Sequence, residues 1–146
     1  PSKAMSNYSF PLLKNNEILL CLHELQISAT EDDLLKPTPL KVQMIYSQFI
    51  ELLLNKKREE MAQPAFNGMT ELEYPQELHE DSVPMVGFLQ ACQELLQISG
   101  IKDFTIYDVT KPEFKRLRRN ISAMINFAKF REERLDHYVR YSEETD

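Results

Sequence analysis

The chain contains little glycine and cysteine and no tryptophan: its 146 residues include three Gly and two Cys. Gly68, Gly87 and Gly100 are scattered, so the chain has no glycine-rich loop of the kind that cradles phosphates. Cys21 and Cys92 each lie in an apolar helical pattern. We therefore expect buried free thiols in a reducing compartment rather than a disulfide.

Long apolar runs and an excess of positive charge are absent as well. No run approaches the roughly 18 residues of a membrane span, and no signal-peptide pattern is visible. The net charge of −6 argues against general nucleic-acid binding, for which a basic domain is expected. We expect a soluble, intracellular protein that binds neither membrane nor nucleic acid directly.

Residue patterns typical of catalysis are also missing. His23, His79 and His137 lie in three different segments, and none belongs to an H-E-x-x-H pair of metal ligands. His79-Glu80-Asp81 could contact a metal, but a solvated acidic loop explains this triplet better. No serine or cysteine stands beside a plausible base. We expect no enzyme activity, no metal and no cofactor.

Apolar residues recur at three- and four-residue spacing through most of the chain, which predicts an all-α fold. The predicted helices cover about 16–26, 39–57, 82–99 and 112–141, with a short turn at 30–35. Asn15 or Asn16 is the expected first cap, Thr38-Pro39 is a strong helix start, and Gly100 is a stop.

Two segments interrupt this pattern. Residues 101–110 fit either a strand or a buried loop with one helical turn, and the loop suits a helical chain better. Residues 59–81 contain seven acidic residues and no Lys or Arg, a local charge of −7, and form the one long connection. Such charge asymmetry in a small domain indicates a polyanionic partner at its other, basic end.

The basic end is the last helix. Residues 111–134 hold eight Lys or Arg and three Glu, a local excess of +5. At 100° per residue, apolar side chains lie within about 60° of Met124, whereas the basic ones occupy an opposite arc of about 100°. The basic set is Lys111, Lys115, Arg118, Arg119 and Lys129. Arg131 instead falls about 20° from the apolar centre, which predicts a structural contact with a buried carboxylate or carbonyl.

Charged residues opposite the apolar stripe of a helix usually only form its solvent-exposed face. Here the cations lie near the helix N-terminus, where they oppose the helix dipole at some tenths of a kcal/mol each. This indicates a further use for the charge. The helix is also about 45 Å long, against a domain width of roughly 30 Å.

Several segments also match a known family. They are Phe10-Pro11 before Glu17-Ile18, Pro39 with Met44-Ile45-Tyr46, Ile101-x-Asp103-Phe104 with Asp108, Lys111-Pro112, Lys115-Arg116, and I-N-F-A-K-F-R-E at 125–132. In them the chain resembles the calponin-homology domain of the Nuf2 subunits of the outer-kinetochore Ndc-eighty complex. The likeness covers about residues 8–140, and the run at 125–132 is its most specific part. Residues 59–81 match no part of the family pattern.

The resemblance implies a single calponin-homology-type helical domain with a long C-terminal helix leading toward a coiled coil. The domain is expected over residues 8–141. Residues 1–7 are then a tag remnant or a flexible N-terminus, and residues 142–146 are a polar tail that begins the coiled-coil lead-in.

The resemblance also implies a non-enzymatic subunit of the nucleus, located at the kinetochore of the centromere. Such a subunit pairs with the Ndc-eighty (Hec) head and attaches chromosomes to spindle microtubules. Its expected contacts with the acidic microtubule are Lys36, Lys41, Lys111, Lys115, Arg118 and Arg119. Its expected partner interface is Leu135, Tyr138 and Val139. In the family the Ndc-eighty head carries most of the microtubule contact, so the basic residues here are either auxiliary or serve the partner interface.

Two alternatives remain at this point. An actin-binding calponin-homology adaptor has the same fold, although tight actin binding usually comes from two such domains in tandem. A signalling adaptor that binds a helical peptide in an apolar groove is the other.

Overall fold

The computed structural model describes the backbone of residues 11–56 and 83–145 and the side chains of residues 11–56 and 85–134. Within them lie six helices and no strand, which confirms the all-α prediction: α1 Asn15–Glu24, α2 Glu31–Leu35, α3 Pro39–Leu54, α4 Val83–Ile98, α5 Tyr107–Thr110 and α6 Phe114–Thr145. Predictions for residues 1–7 and 59–81, for His79-Glu80-Asp81, and for the side chains of Leu135, Tyr138, Val139 and residues 142–146 lie outside this description.

Side-chain caps fix where two helices begin. The hydroxyl of Thr30 accepts the N–H of Asp33 at 3.3 Å, and the carboxylate of Asp33 accepts the N–H of Thr30 at 2.8 Å. The hydroxyl of Thr38 accepts the N–H of Lys41 at 3.3 Å, with Pro39 as the first helical residue. The start of α3 is therefore as predicted.

The predicted cap of α1, Asn15 or Asn16, is wrong by one or two residues. Lys14 is the N-cap, and Asn15 is already helical. The carboxylate of Glu17 accepts the N–H of Lys14 at 2.9 Å and satisfies a donor that would otherwise lack a partner. This hydrogen bond stabilises the start of α1 without a capping asparagine side chain.

Left-handed residues end three helices. Gln26 has φ 64°, and the following Ile27 donates its N–H to the carbonyl of Leu22 at 2.8 Å, so α1 stops at Glu24 rather than at Gln26. Asn55, with φ 57°, likewise ends α3 at Leu54, three residues before the predicted end. Gly100 has φ 99° and stops α4 as predicted.

In the core, α3 packs against α4, and α6 packs against α1, α2 and α4. The middle of α6 supplies Ile121, Met124 and Ile125, each at most 1% exposed, which confirms that the predicted apolar side of this helix is buried. Cys21 and Cys92 are buried free thiols, as predicted. Burial, with a smaller effect of a nearby carboxylate, raises the pKa of the Cys92 thiol well above its usual value and keeps it unreactive.

The segment of uncertain type, residues 101–110, is a loop that ends in the single helical turn α5. Ile101 and Val109 are buried, at 3% and 0% exposed. The preference for a buried loop over a strand is therefore confirmed. No helix in the described part of the chain is both long and apolar enough to cross a membrane.

Replacing Ile121 with Asp should destabilise the domain by about 4 kcal/mol, because the substitution buries a charge with no partner. Ile121 is fully buried, whereas Lys129 on the same helix is exposed. Lys129→Asp is therefore the matched control and should change stability by less than about 0.5 kcal/mol. Chemical denaturation measures both, and equal midpoints for the two variants would mean that α6 is peripheral.

Candidate partner-binding surface

The link between α5 and α6 is an ion pair between Arg116 and Asp108. Nε of Arg116 lies 2.7 Å from Oδ1 of Asp108, and Nη2 lies 3.0 Å from Oδ2. The Asp108 side chain is only 4% exposed and also accepts the N–H of Thr105 at 2.9 Å. The hydrogen bond to Asp108 is the largest cause of a raised pKa for the Arg116 guanidinium. One carboxylate thus joins the turn of α5 to the first turn of α6.

A second arginine connects the surface to the core. Arg119 contacts Asp103 at 2.6 Å and 3.0 Å and also donates to the side-chain oxygen of Asn120 at 2.8 Å. Asn120 is fully buried and donates to the hydroxyl of Tyr46 at 2.9 Å. The Arg119 hydrogen bond lowers the pKa of Asp103, and burial raises that of Tyr46. Arg119 is therefore part of the internal support of α6.

Arg118 and Arg131 bind carbonyl oxygens of other segments. Nε of Arg118 donates to the carbonyl of Leu13 at 2.7 Å, which holds the segment before α1 against α6. Nη1 of Arg131 donates to the carbonyl of Leu53 at 2.9 Å, in the last turn of α3. A cation at the C-terminal end of a helix is stabilised by the helix dipole. The structural role predicted for Arg131 is confirmed.

The predicted lysines have different surroundings. Lys36, Lys111 and Lys115 are exposed, whereas Lys41 is half-buried and lies 3.8 Å from the carboxylate of Asp33. The ammonium of Lys111 lies 5.5 Å from the ring centre of Tyr107, and that of Lys115 lies 6.0 Å from the ring centre of Phe114. Within the described residues, neither Lys111 nor Lys115 forms an ion pair.

The six predicted contact residues therefore form two groups. Lys41, Arg118 and Arg119 make intramolecular polar contacts, whereas Lys36, Lys111 and Lys115 project charge outward. The Arg116 and Arg119 contacts to Asp103 and Asp108 were not predicted from the sequence. The available signal was two carboxylates in residues 101–110, shortly before two arginines spaced three apart on one helix.

A shallow cleft of about 90 Å³ is well below the several hundred Å³ of a typical ligand pocket. It is lined by Gln93, Gln97, Ile101, Lys102 and Phe104. Among the described residues, no three His, Cys, Asp or Glu side chains come together as metal ligands.

The molecule is thus an α-helical domain with a basic surface where α5 meets α6 and with a long final helix. The family profile described as "Nuf2 family" matches residues 6–146, and the chain belongs to this family. This confirms the resemblance found in the sequence.

Named relatives support the assignment. The chain is 39% identical over 136 residues to "Probable kinetochore protein NUF2" of Yarrowia lipolytica, an alignment covering 93% of the chain and 30% of that protein. It is 36% identical over 131 residues to "Kinetochore protein nuf2" of Schizosaccharomyces pombe, covering 90% and 30%. It is also 36% identical over 143 residues to the Gibberella zeae protein, covering 94% and 31%. The chain spans about a third of the length of these relatives.

Replacing Asp108 with Asn should destabilise the domain by about 1–3 kcal/mol, because Arg116 loses its buried ionic partner. Asp103→Asn is the matched control, since it makes the same substitution at a side chain that is 58% exposed. An exposed pair contributes only about 0–1 kcal/mol. Urea titration measures both variants, and a larger loss for Asp103→Asn would show that Asp108 is not the central contact.

Proposed function

We propose that this domain is the head of a non-enzymatic kinetochore subunit that acts at the centromere in the nucleus. It pairs with the Ndc-eighty (Hec) head and helps to attach chromosomes to spindle microtubules. Family membership and the kinetochore names of the relatives support this role, and they do not favour the actin-binding alternative. The proposed calponin-homology domain covers residues 8–141.

The observation that carries the microtubule part of the proposal is the position of Lys111 and Lys115. Both are exposed where α5 meets α6, and each ammonium lies against an aromatic ring rather than against a carboxylate. Their charge is therefore available to an acidic surface such as that of a microtubule. The rest of the chain is acidic, so this local charge also orients the head on its target.

We assign the direct microtubule contact to Lys36, Lys111 and Lys115. Lys41 can join them because its ion pair with Asp33 is long, at 3.8 Å, and surface pairs of this kind are weak. Arg118 and Arg119 act indirectly, by holding α6 against the segment before α1 and against Asp103. The proposed microtubule site therefore contains fewer residues than the basic set predicted from the sequence.

The partner interface is assigned to the far end of α6. Ala128 is the last buried residue described on this helix, and the six residues that follow it, 129–134, are all exposed. Yet the helix continues to Thr145. At 1.5 Å per residue, the portion beyond Ala128 is about 25 Å long. Leu135, Tyr138 and Val139 lie on this portion, where a helix of the partner can pack against them.

Reversing both lysines, Lys111→Glu with Lys115→Glu, should weaken microtubule binding by the heterodimer about ten-fold at low salt. Each lost contact contributes up to about 1 kcal/mol, and each new carboxylate adds repulsion. The loss should shrink at high salt because ions screen exposed charges. Co-sedimentation at two salt concentrations measures this, with filamentous actin as a comparison.

The matched control compares two single variants. Lys115→Glu and Lys129→Glu make the same charge change on exposed residues of α6, about 21 Å apart along the helix. Only the first should weaken binding, and neither should lower thermal stability. Normal microtubule binding by an assembled Lys111→Glu, Lys115→Glu heterodimer at both salt concentrations would assign the contact to the partner alone.

Replacing Leu135 with Glu should prevent or strongly weaken pairing with the Ndc-eighty head, because it puts a charge into an apolar helix contact. Size-exclusion chromatography of the co-expressed pair measures assembly. Glu133→Lys is the control, since it changes the charge of an exposed residue two positions earlier. Intact assembly of the Leu135→Glu pair would place the interface elsewhere.

A further inference from the structure

Three large apolar side chains are exposed on α3, α5 and α6. Leu40 is 70% exposed, Tyr107 55% and Phe114 44%. A single exposed apolar residue is ordinary, but a contiguous group indicates a contact surface.

Backbone connections place Tyr107 and Phe114 on either side of Lys111. The N–H of Lys111 donates to the carbonyl of Tyr107 at 2.9 Å, so the two residues are one turn apart. Phe114 follows Lys111 by three residues, so their Cα atoms are separated by at most about 11 Å. Lys115 lies over the Phe114 ring, as Lys111 lies over the Tyr107 ring. The four side chains form two successive pairs of one lysine and one aromatic ring.

A hydrogen bond brings α3 to the same place. Nε2 of Gln43 donates to the carbonyl of Val109 at 2.9 Å, two residues after Tyr107. Leu40 precedes Gln43 by one turn of α3 and lies about 60° farther around the helix, on its outer side. Leu40 is therefore exposed on the part of α3 that adjoins the α5 segment.

We propose that Leu40, Tyr107, Lys111, Phe114 and Lys115 form one mixed apolar and basic strip, and that its occupant is a folded acidic surface of the filament. The inference rests on the proposed function and specifies what the surface recognises there. Charge complementarity identifies the occupant as acidic, and the exposed rings require it to offer apolar side chains at fixed positions.

A disordered acidic segment would fit this strip poorly. It supplies carboxylates for Lys111 and Lys115, but it has no fixed apolar surface to cover the rings. A folded surface supplies both, because a carboxylate can meet each ammonium while a neighbouring aliphatic group packs on the ring. The two partner types also differ in their response to salt. Ions screen the charge contacts, whereas apolar contacts persist.

The test uses the full-length protein in complex with its partner subunit, with microtubules and a poly-glutamate peptide as two probes. The variant is Tyr107→Ala with Phe114→Ala. It should bind microtubules about three- to ten-fold more weakly, by the same factor at low and at high salt. Its affinity for poly-glutamate should equal that of the wild type.

Phe130→Ala is the matched control. Phe130 is 52% exposed on the same helix, with the guanidinium of Arg134 5.6 Å from its ring centre, and lies about 24 Å from Phe114 along the axis. It should bind microtubules as the wild type does. Thermal unfolding should be the same for all variants, since none of the three rings belongs to the core.

Two outcomes would overturn the inference. Unchanged microtubule affinity of the Tyr107→Ala, Phe114→Ala variant would show that the rings make no contact. An equal loss of poly-glutamate binding would show that the rings only hold the lysines in place. Failure of the proposed function is distinct, because the Lys111→Glu, Lys115→Glu variant would then keep full microtubule affinity as well.

Discussion

The bidentate ion pair between Arg116 and Asp108 is the contact on which the rest of the basic surface depends. The Asp108 side chain is almost fully buried, so its charge requires a compensating partner. The same carboxylate accepts the N–H of Thr105, in the loop just before α5. Lys111 lies between Asp108 and Arg116 in the chain, and its position is therefore set from both sides. The position of the exposed Lys111 charge therefore depends on the buried ion pair between Asp108 and Arg116.

The same contacts explain why α6 tolerates several cations in its first turns, where they oppose the helix dipole. Arg116 and Arg119 face the carboxylates of Asp103 and Asp108, and the N–H of Arg116 donates to the carboxylate of Glu113 at 2.9 Å. Acidic groups from the preceding loop and from the turn itself offset the unfavourable interaction. Part of the positive charge of residues 111–134 is therefore structural rather than available to a partner.

Periodicity and capping chemistry predicted the helical fold and the core, because both depend on residues a few positions apart. Thr38-Pro39 begins α3, and Ile121 with Met124 is buried, as the spacing requires. The outward basic arc was less predictable. Arg118 lies on the arc but binds the carbonyl of Leu13, 105 positions away in the chain. Spacing gives the direction of a side chain from its own helix axis, but not the segment that lies in that direction.

The different chemistry of arginine and lysine explains why the arginines of this surface bind within the molecule and the lysines stay exposed. A guanidinium presents a rigid fork of donors that matches carboxylate and carbonyl oxygens, whereas an ammonium is a compact charge on a flexible stem. The arginines in the first turns of α6 bind within the molecule, whereas Lys111, before this helix, and Lys115 remain exposed over aromatic rings. Since the internal support does not use the lysines, the head can present them to an acidic surface without weakening its fold. The arginines are therefore held by contacts within the molecule, whereas the flexible stems of the two lysines leave their charge free to meet the proposed acidic partner.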